Sequence, residues 1–411
     1  MSAVRELSGA GGKLVSRAGR AARVLRQEGP IGLARRGVRA AYRSLGAAVL
    51  DEPLLNADIA DPTALDLQVP AERPSRDRPM EVGWVTTPPA AGSGGHTTLL
   101  RMVEATERAG HHCTLFLYDR YGGDLAQQEA VIRQWWPGVR ATVRSVEDGI
   151  SGVDACVASS WESAHVLATR GTEAMRRLYF IQDFEPYFYP RGSLYSLAED
   201  TYRFGFRCIA LGAMVARLLR SEIGIEPDVT EFGCDTTVYR LLDPRPRTGV
   251  VLYAKPDVPR RGYWLARMAL ERFHRAHPEA DIHYYGETVA DLPFPATQHG
   301  RLTPVELNEL YNSCRVGLAM SFTNISLVPE EMLAAGVVAV ANDEPDARAI
   351  LTNDHVRWAA PNPACLAEAL GQAYERPSGD EAAIAASVSQ VGWTRAQADV
   401  VRILEEEVYG G

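Results

Sequence analysis

The sequence predicts an α/β protein with two parallel sheets, each flanked by helices and facing the other across a cleft. Three observations predict this fold. Apolar, strand-like segments alternate with helical segments from residue 80 onward, a Pro-rich junction at 241–249 interrupts the alternation, and the alternation then starts again. Such alternation is typical of a doubly wound parallel sheet. The cleft between two such sheets is the favoured place for a ligand.

The first half opens with the strand-like segment MEVGWVTT, followed by a Gly-rich loop and a helix. Each further strand is a short apolar run that turn-forming residues separate from the next helix. The predicted strands are 80–87, 113–118, 139–143, 153–158, 178–181 and 208–211, and the predicted helices include 97–109 and 213–222.

The second half repeats this pattern after the junction. Its predicted strands are 250–254, 282–285, 316–320, 337–341 and 356–359, and its predicted helices are 264–276, 304–311 and a long closing run at 394–408. We therefore expect four parts: a basic arm and linker (1–79), a first α/β domain (80–240), a second α/β domain (241–393) and a closing helix (394–411).

The composition, 46% hydrophobic and 23% charged, is that of an ordinary globular protein. No apolar run approaches the roughly 20 residues that span a bilayer. The six cysteines include no CxxC pair, which disfavours a disulfide framework or a structural zinc site. These features together predict a cytoplasmic protein.

Charge is distributed unevenly along the chain. Residues 1–50 carry ten basic residues and two acidic ones, a net charge of +8, whereas the whole chain has −9. The acidic balance argues against general nucleic-acid binding. Helical spacing of apolar residues and arginines in the arm allows three interpretations: a solvated helical hairpin packed on the body, an interfacial helix on the inner face of a membrane, or a transit peptide. Residues 51–79 have the composition of a linker.

The segment 316–343 is the most informative of the chain. It predicts a buried strand, a polar loop (321–328), a short helix with Pro329 at its first position and Gly336 at its end, and a second buried strand. Helix N-termini after parallel strands bind anions. A carboxylate at the same helix start, however, indicates a ligand with a polyhydroxylated part beside its phosphate. A nucleotide sugar has both parts.

Two acids and a polar loop surround this helix start. Adjacent helical residues point about 100° apart, so only one of Glu330 and Glu331 can face a ligand, and we predict Glu331. The alternative is that both acids merely complement the helix dipole. In the loop, Thr323, Asn324 and Ser326 offer polar groups to phosphate. The backbone at Leu327 and Val328 belongs to the same predicted donor site.

A basic loop follows the first strand of the second half. Lys255, Arg260 and Arg261 lie within seven residues, and Lys255 is one of only two lysines in the chain. Three cations at the carboxyl end of a parallel strand fit a diphosphate leaving group, whose charge they can neutralise without a metal ion. A solvated basic loop is the alternative.

Two segments of the first half are candidate ligand contacts. In the loop 86–100, Gly94 and Gly95 allow close approach of a ligand and His96 follows them, although His96 could instead cap the helix. The spacing matches neither GxGxxG nor a P-loop. The segment YFIQDFEPYFYP contains Asp183, Glu185 and Tyr187, which could bind an acceptor sugar and position its hydroxyl. An aromatic core loop is the alternative.

Together these segments resemble GT-B glycosyltransferases, and specifically glycosyltransferase family four. The segments at 82–119, 179–190, 232–240 and 251–266 are most similar to its dTDP-rhamnose-dependent rhamnosyltransferases. The resemblance implies that the first domain binds the acceptor, the second binds the donor, and the closing helix crosses back to the first domain. It implies that Glu331 is the second acid of an E-x7-E motif and contacts the ribose, and that Lys255 and Arg261 bind the diphosphate. The first acid of that motif is replaced by Thr323.

The resemblance therefore implies a retaining transferase that moves L-rhamnose from dTDP-L-rhamnose onto a growing bacterial polysaccharide or lipid-linked glycan, with no cofactor and no metal. Lys255, Arg261 and Glu331 are the expected catalytic residues. Two alternatives remain: a non-catalytic subunit that binds a nucleotide sugar or glycan, which the loss of the acid at Thr323 favours, and a GT-B-fold epimerase.

Overall fold

The computed structural model describes residues 25–26, 29–32, 34–45, 47, 51–243, 245–324, 327–388 and 392–410. The chain forms two compact units, residues 1–56 and residues 57–411. The larger unit contains both sheets, and the α/β prediction is confirmed there.

The first sheet has seven parallel strands in the order β3-β2-β1-β4-β5-β6-β7. The order reverses between β1 and β4, and their buried positions include Trp84 and Val157. The strands are β1 Glu81–Thr86, β2 His112–Leu117, β3 Thr142–Ser145, β4 Ala155–Ala158, β5 Arg176–Ile181, β6 Arg207–Leu211 and β7 Asp228–Thr230. The sequence did not predict β7, because three residues carry too short a pattern.

The second sheet has six parallel strands in the order β10-β9-β8-β11-β12-β13. Here the order reverses between β8 and β11. The strands are β8 Gly249–Ala254, β9 Asp281–Gly286, β10 Thr297–Gln298, β11 Cys314–Ala319, β12 Val338–Asn342 and β13 Val356–Ala359. The exposed two-residue edge strand β10 also escaped prediction.

Helices connect these strands, and most begin or end within three residues of the predicted bounds. The helices of the larger unit are α1 Gly94–Arg108, α2 Leu125–Trp135, α3 Trp161–Arg170, α4 Ser193–Asp200, α5 Ala213–Leu218, α6 Tyr263–Ala276, α7 Pro304–Ser313, α8 Leu327–Ala334, α9 Pro345–Ile350, α10 Pro363–Tyr374, α11 Glu381–Ala386 and α12 Thr394–Tyr409. Short 3-10 turns at Glu185–Phe188 and Pro259–Arg261 lie next to the cleft.

The closing helix α12 packs on the first sheet although it follows the second one in sequence. Its apolar face, which includes Val400, Ile403 and Leu404, is fully buried in the same core cluster as Trp84 of β1. Arg207 of β6 binds Glu406 on this helix at 3.0 Å. The four-part division of the chain stays a prediction, but the helix joins the end of the chain to its first sheet.

Residues 57–79 belong to the larger unit and form hydrogen bonds with the rest of it. The Arg177 guanidinium donates to the Gln68 carbonyl at 2.8 Å, and Asp58 accepts from Arg170 at 2.7 Å. Arg73 donates to the Glu407 carbonyl of α12 at 2.8 Å. This part of the expected linker is therefore packed rather than free.

In the smaller unit, residues 29–32 and 34–44 are helical. The predicted helical run that includes Leu14 and Arg17 falls outside the described residues. Across the part of the chain that the structure describes, no helix is both long and apolar enough to cross a bilayer. All six cysteines are unpaired, and five of them are buried.

We predict that the apolar face of α12 is needed for stability. Ile403 has no exposed surface, so Ile403→Ala should leave a cavity and lower the free energy of unfolding by about 2–4 kcal/mol. Urea unfolding followed by circular dichroism measures this. Arg395→Ala, at an exposed position of the same helix, should change stability by less than about 0.5 kcal/mol. Equal effects of the two changes would contradict the packing role of α12.

Candidate functional site

The candidate site lies where the strand order of the second sheet reverses. The loops that follow β8 and β11 leave the sheet side by side at this point, because the two strands are paired neighbours. In open parallel sheets, ligands bind beyond the carboxyl ends of the strands at such a switch point. The loop after β8 carries the three predicted cations, and the loop after β11 carries the predicted polar groups.

Arg261 is held by the loop after β11. Its Nη1 donates to the Ser321 hydroxyl at 3.1 Å and to the Asn324 carbonyl at 3.2 Å. Ser321 is in turn fixed by Asn342 at the end of β12, whose amide bonds both the N–H and the carbonyl of Ser321. These contacts position the guanidinium without neutralising its charge.

Arg260 projects to the other side of the loop. Its guanidinium carbon lies 3.8 Å from the centre of the Phe188 ring, which belongs to the first half of the chain. Its Nε is buried and has no hydrogen-bond partner among the described residues. Burial and the neighbouring Arg261 lower the pKa of Arg260, so an anion placed beside the pair would be strongly favoured.

Lys255 has a different environment. Its ammonium group forms an ion pair with Glu287 at 3.2 Å, and it lies 5.8 Å from the Tyr253 ring centre. A phosphate would have to compete with Glu287 for this cation. The three predicted cations thus differ. In the described chain, neither Arg260 nor Arg261 has a carboxylate within ion-pair distance, whereas Lys255 is paired with Glu287.

Helix α8 begins at Leu327, so Pro329 is its third residue rather than its first. The missing N–H of Pro329 still costs nothing, because the first four N–H groups have no partner inside the helix. Gly336 follows the helix with a φ of +77°, as predicted for its end. Leu327 packs against the core cluster of the first sheet and Val328 against that of the second sheet. The start of α8 therefore touches both halves. Ser326 lies outside the described residues.

The two acids of α8 have different surroundings, as their spacing predicts. Burial raises the pKa of Glu331 to about 8, while Arg101 and a hydrogen bond from Tyr239 oppose this shift. Burial also raises the pKa of Glu330 to about 7, and one of its carboxylate oxygens has no partner in the described chain. Glu331 therefore belongs to a polar cluster, and Glu330 faces elsewhere.

The Gly-rich loop of the first half lies close to the start of α8. Gln182 donates to the Gly95 carbonyl at 3.1 Å, and a Cβ on Gly94 would lie 3.9 Å from the Leu327 side chain of α8. His96 bonds the Ser93 hydroxyl at 2.8 Å, and burial lowers its pKa, which favours the neutral ring. Gly94 and Gly95 are the first two residues of α1, which begins three residues earlier than predicted.

A hydrogen-bonded contact crosses the cleft. Asp183, predicted on the acceptor side, accepts from the Thr323 hydroxyl at 2.7 Å and from the Asn324 N–H at 3.3 Å. The Asn324 amide donates to the Gln182 carbonyl at 3.1 Å. Burial raises the pKa of Asp183, while Thr323 and the two arginines oppose this shift. The loops predicted to bind donor and acceptor are thus in direct contact.

Glu185 does not line the cleft. Its carboxylate accepts from the Tyr179 hydroxyl at 2.7 Å and from the Trp161 N–H, and its residue is 6% exposed. Burial raises its pKa well above the usual range. An acceptor contact by Glu185 does not fit this position, because its partners lie inside the first half. Tyr187 is 39% exposed and packs edge-on against Phe184.

Sequence reasoning missed four residues of this site. Gln182 and Asn342 end or follow buried strands at the cleft edge, a position that could have singled them out. Phe188 lies in the aromatic segment 179–190 but was not singled out within it, and Arg101 carried no signal, because their contacts with Arg260 and with Asp235 join residues far apart in sequence.

Comparison with known sequences finds matches in both halves. Residues 248–371 match the family model described as "WsaF, C-terminal domain", and residues 154–213 match "WsaF, N-terminal domain". The chain is 30% identical over 337 residues to the O-antigen biosynthesis protein RfbC of Myxococcus xanthus, a match that covers 76% of this chain and 26% of that protein. The chain thus spans about a quarter of the length of this relative.

Solved structures share the fold. Alr3699/HepE from Anabaena, in complex with UDP-glucose, has a TM-score of 0.61 at 13% identity, covering 80% of this chain and 100% of its own. A mutant of TarM from S. aureus, in complex with fondaparinux, alpha-GlcNAc-glycerol and UDP, has 0.62 at 7%, covering 80% and 99%. A sucrose-phosphate synthase from Thermosynechococcus elongatus has 0.59 at 13%, covering 79% and 98%. The predicted GT-B fold is confirmed.

We predict that Glu331 makes stability depend on pH. The folded chain keeps a proton on Glu331 up to about pH 8, whereas the unfolded chain releases it near 4.5, so Glu331 destabilises the fold increasingly as pH rises through this window. Relative to the unchanged chain, Glu331→Gln should therefore gain more stability at about pH 8 than at about pH 5.

Urea midpoints at the two pH values measure this difference. The matched control is Glu368→Gln, at an exposed position of α10. It should change the urea midpoint, relative to the unchanged chain, by the same amount at both pH values. A Glu331→Gln effect that does not change with pH would contradict the buried setting of this carboxyl group.

Proposed function

We propose that this GT-B chain is a glycosyltransferase of polysaccharide biosynthesis. Its donor is dTDP-L-rhamnose, its acceptor is a growing bacterial polysaccharide or lipid-linked glycan, and the reaction retains the anomeric configuration without a metal ion. The relative that carries the words O-antigen biosynthesis in its name supports the process. The resemblance of the cleft segments to rhamnosyltransferases supports the sugar and the retention.

The arginine pair at the switch point is the observation that carries the proposal. Arg260 and Arg261 are adjacent, and neither forms an ion pair with a carboxylate among the described residues. Two adjacent cations in the loop after β8, close to the loop that leads into α8, are suited to bind a diphosphate, although Asp183 offsets part of their charge. A diphosphate is the leaving group of a nucleotide-sugar donor.

The chemistry follows from this placement. The bond between C1 of the sugar and the diphosphate oxygen breaks, and the acceptor oxygen forms the new bond to C1 on the same face. The acceptor hydroxyl proton passes to the departing diphosphate oxygen, and dTDP leaves. Arg260, Arg261, Lys255 and the N–H groups at the start of α8 stabilise the negative charge that develops on the diphosphate.

The acceptor side is formed by the first half. We assign to this side His96, whose pKa burial lowers, and Tyr187, which is 39% exposed beside Phe184. The solved structures that share the fold contain UDP-glucose, or UDP together with fondaparinux, in two of the three cases described above. This supports the pairing of a nucleotide sugar with a glycan.

Asp183 supplies the acid that position 323 lacks. The resemblance implies that position 323 holds an acid that contacts the donor sugar. This chain has Thr323 there instead, and the Asp183 carboxylate lies 2.7 Å from the Thr323 hydroxyl. It reaches this place from the first half of the chain. We therefore assign Asp183 to the sugar end of the donor, where it and Thr323 orient a sugar hydroxyl.

Calorimetric titration with dTDP, UDP and GDP, without added metal, tests the donor. We expect dTDP to bind most tightly, and Arg261→Ala to weaken dTDP binding and turnover at least tenfold because a charge-assisted contact to the diphosphate is lost. Arg272→Ala, an exposed arginine of α6, should change neither.

Preference for UDP or GDP would contradict the thymine part of the proposal and leave the fold-level part in place. Tight dTDP binding without transfer from dTDP-rhamnose to any rhamnan or lipid-linked acceptor would favour the alternative, a non-catalytic nucleotide-sugar-binding subunit. Full turnover by Arg261→Ala would contradict the site.

A second experiment separates the sugar end from the nucleotide end. Asp183→Asn keeps an oxygen that can accept from Thr323 and Asn324 but removes the charge. It should lower affinity for dTDP-rhamnose and turnover at least tenfold, and leave affinity for dTDP within about twofold. Adding Thr323→Glu should restore part of the turnover, because it returns a carboxylate to the same place. Equal loss of affinity for both ligands would contradict the sugar assignment.

A further inference from the structure

We propose that the arm helix and Leu45, which follows it directly, are a docking surface for a membrane that contains anionic lipid. The arm helix is defined as residues 29–32 and 34–44. The inference rests on the exposed side chains of this segment alone and does not depend on the proposed function. The sequence left three interpretations of the arm open, of which this is the interfacial one.

The arm helix exposes a stripe of large apolar side chains. Ile31, Val38 and Leu45 are 66%, 70% and 80% exposed. Val38 and Leu45 are seven residues apart, which is close to two helical turns, so these two lie on one face. Large apolar side chains aligned in this way and open to water mark an interaction surface.

A row of arginines lies beside this stripe. Arg35, Arg39 and Arg43 follow at intervals of four residues and are exposed, and no ion pair of these three is found within the described chain. Together with Arg36, Gly32 and Ala40 they line a groove of about 540 Å³.

Guanidinium groups that converge on a groove fit phosphate oxygens, which they can bind in a bidentate manner. A free phosphate or a nucleic acid would occupy the arginines and leave the apolar stripe in water. A lipid surface satisfies both rows at once, since the headgroup phosphates meet the arginines and the acyl boundary takes up the stripe. The net charge of +8 over residues 1–50 is complementary to such a surface.

Co-sedimentation of the full chain with vesicles tests the proposal. We expect binding to phosphatidylcholine vesicles that contain phosphatidylglycerol, weaker binding as salt is raised, and little binding to pure phosphatidylcholine. The variant Arg35→Gln, Arg39→Gln, Arg43→Gln should reduce the bound fraction at least tenfold, because the headgroup contacts are lost. The variant Ile31→Ser, Val38→Ser, Leu45→Ser should also reduce it at least tenfold.

Matched controls come from the larger unit. Val305→Ser removes an apolar side chain that is 66% exposed, and Arg272→Gln removes an exposed arginine, and neither should change vesicle binding. Turnover with a water-soluble acceptor should be unchanged in both triple variants, which separates this test from that of the donor site.

Wild-type binding that is equal on neutral and anionic vesicles, or absent from both, would overturn the proposal. A second set of results would overturn it in favour of a soluble polyanion. In that case the arginine variant would lose binding of inorganic pyrophosphate or RNA, whereas the apolar variant would keep that binding and would also keep its binding to vesicles.

Discussion

The arginine pair at the end of β8 is the constraint on which the cleft depends. Arg261 is positioned by Ser321 and Asn324, and Ser321 is in turn held by Asn342 at the end of the neighbouring strand β12. Arg260 is stacked on Phe188 across the cleft and is left with a buried, unpartnered Nε in the described chain. Two adjacent cations partly removed from water repel each other and lose hydration, and the nearby Asp183 offsets this only in part. Under the proposed function, a diphosphate would add further negative charge beside this pair.

The cross-cleft contact gives the site its second property. Asp183 and Thr323 belong to different halves, yet they are hydrogen-bonded, and the Asn324 amide reaches back to the Gln182 carbonyl. The loop after β11 and the loop after β5 are therefore joined by hydrogen bonds. The closing helix α12 ties the end of the chain to the first sheet, so the two halves are connected through this helix as well.

Two pairs of carboxyl groups show how different contacts give different surroundings to residues that are close in sequence. Glu185 and Asp183 are two positions apart, but Glu185 accepts from Tyr179 inside the first half, whereas Asp183 reaches the second half. Glu330 and Glu331 diverge in the same way, since one lies in the cluster of Arg101 and Tyr239 and the other has an oxygen without a partner in the described chain. A 3-10 turn at Glu185–Phe188 and the helical rotation of about 100° per residue separate the members of each pair.

The sequence by itself determined the α/β class, eleven of the thirteen strands in the described chain and the basic and polar loops, because strand periodicity and turn chemistry are local. It also placed Gly336 at the end of α8, where only a residue tolerant of positive φ fits. The short strands β7 and β10 carried too few residues for a pattern. Only the tertiary structure decided that Asp183 meets Thr323, that Phe188 covers Arg260 and that Glu185 is internal. These are contacts between residues more than twenty positions apart, and no periodicity in the sequence records which distant side chain a strand order will bring near.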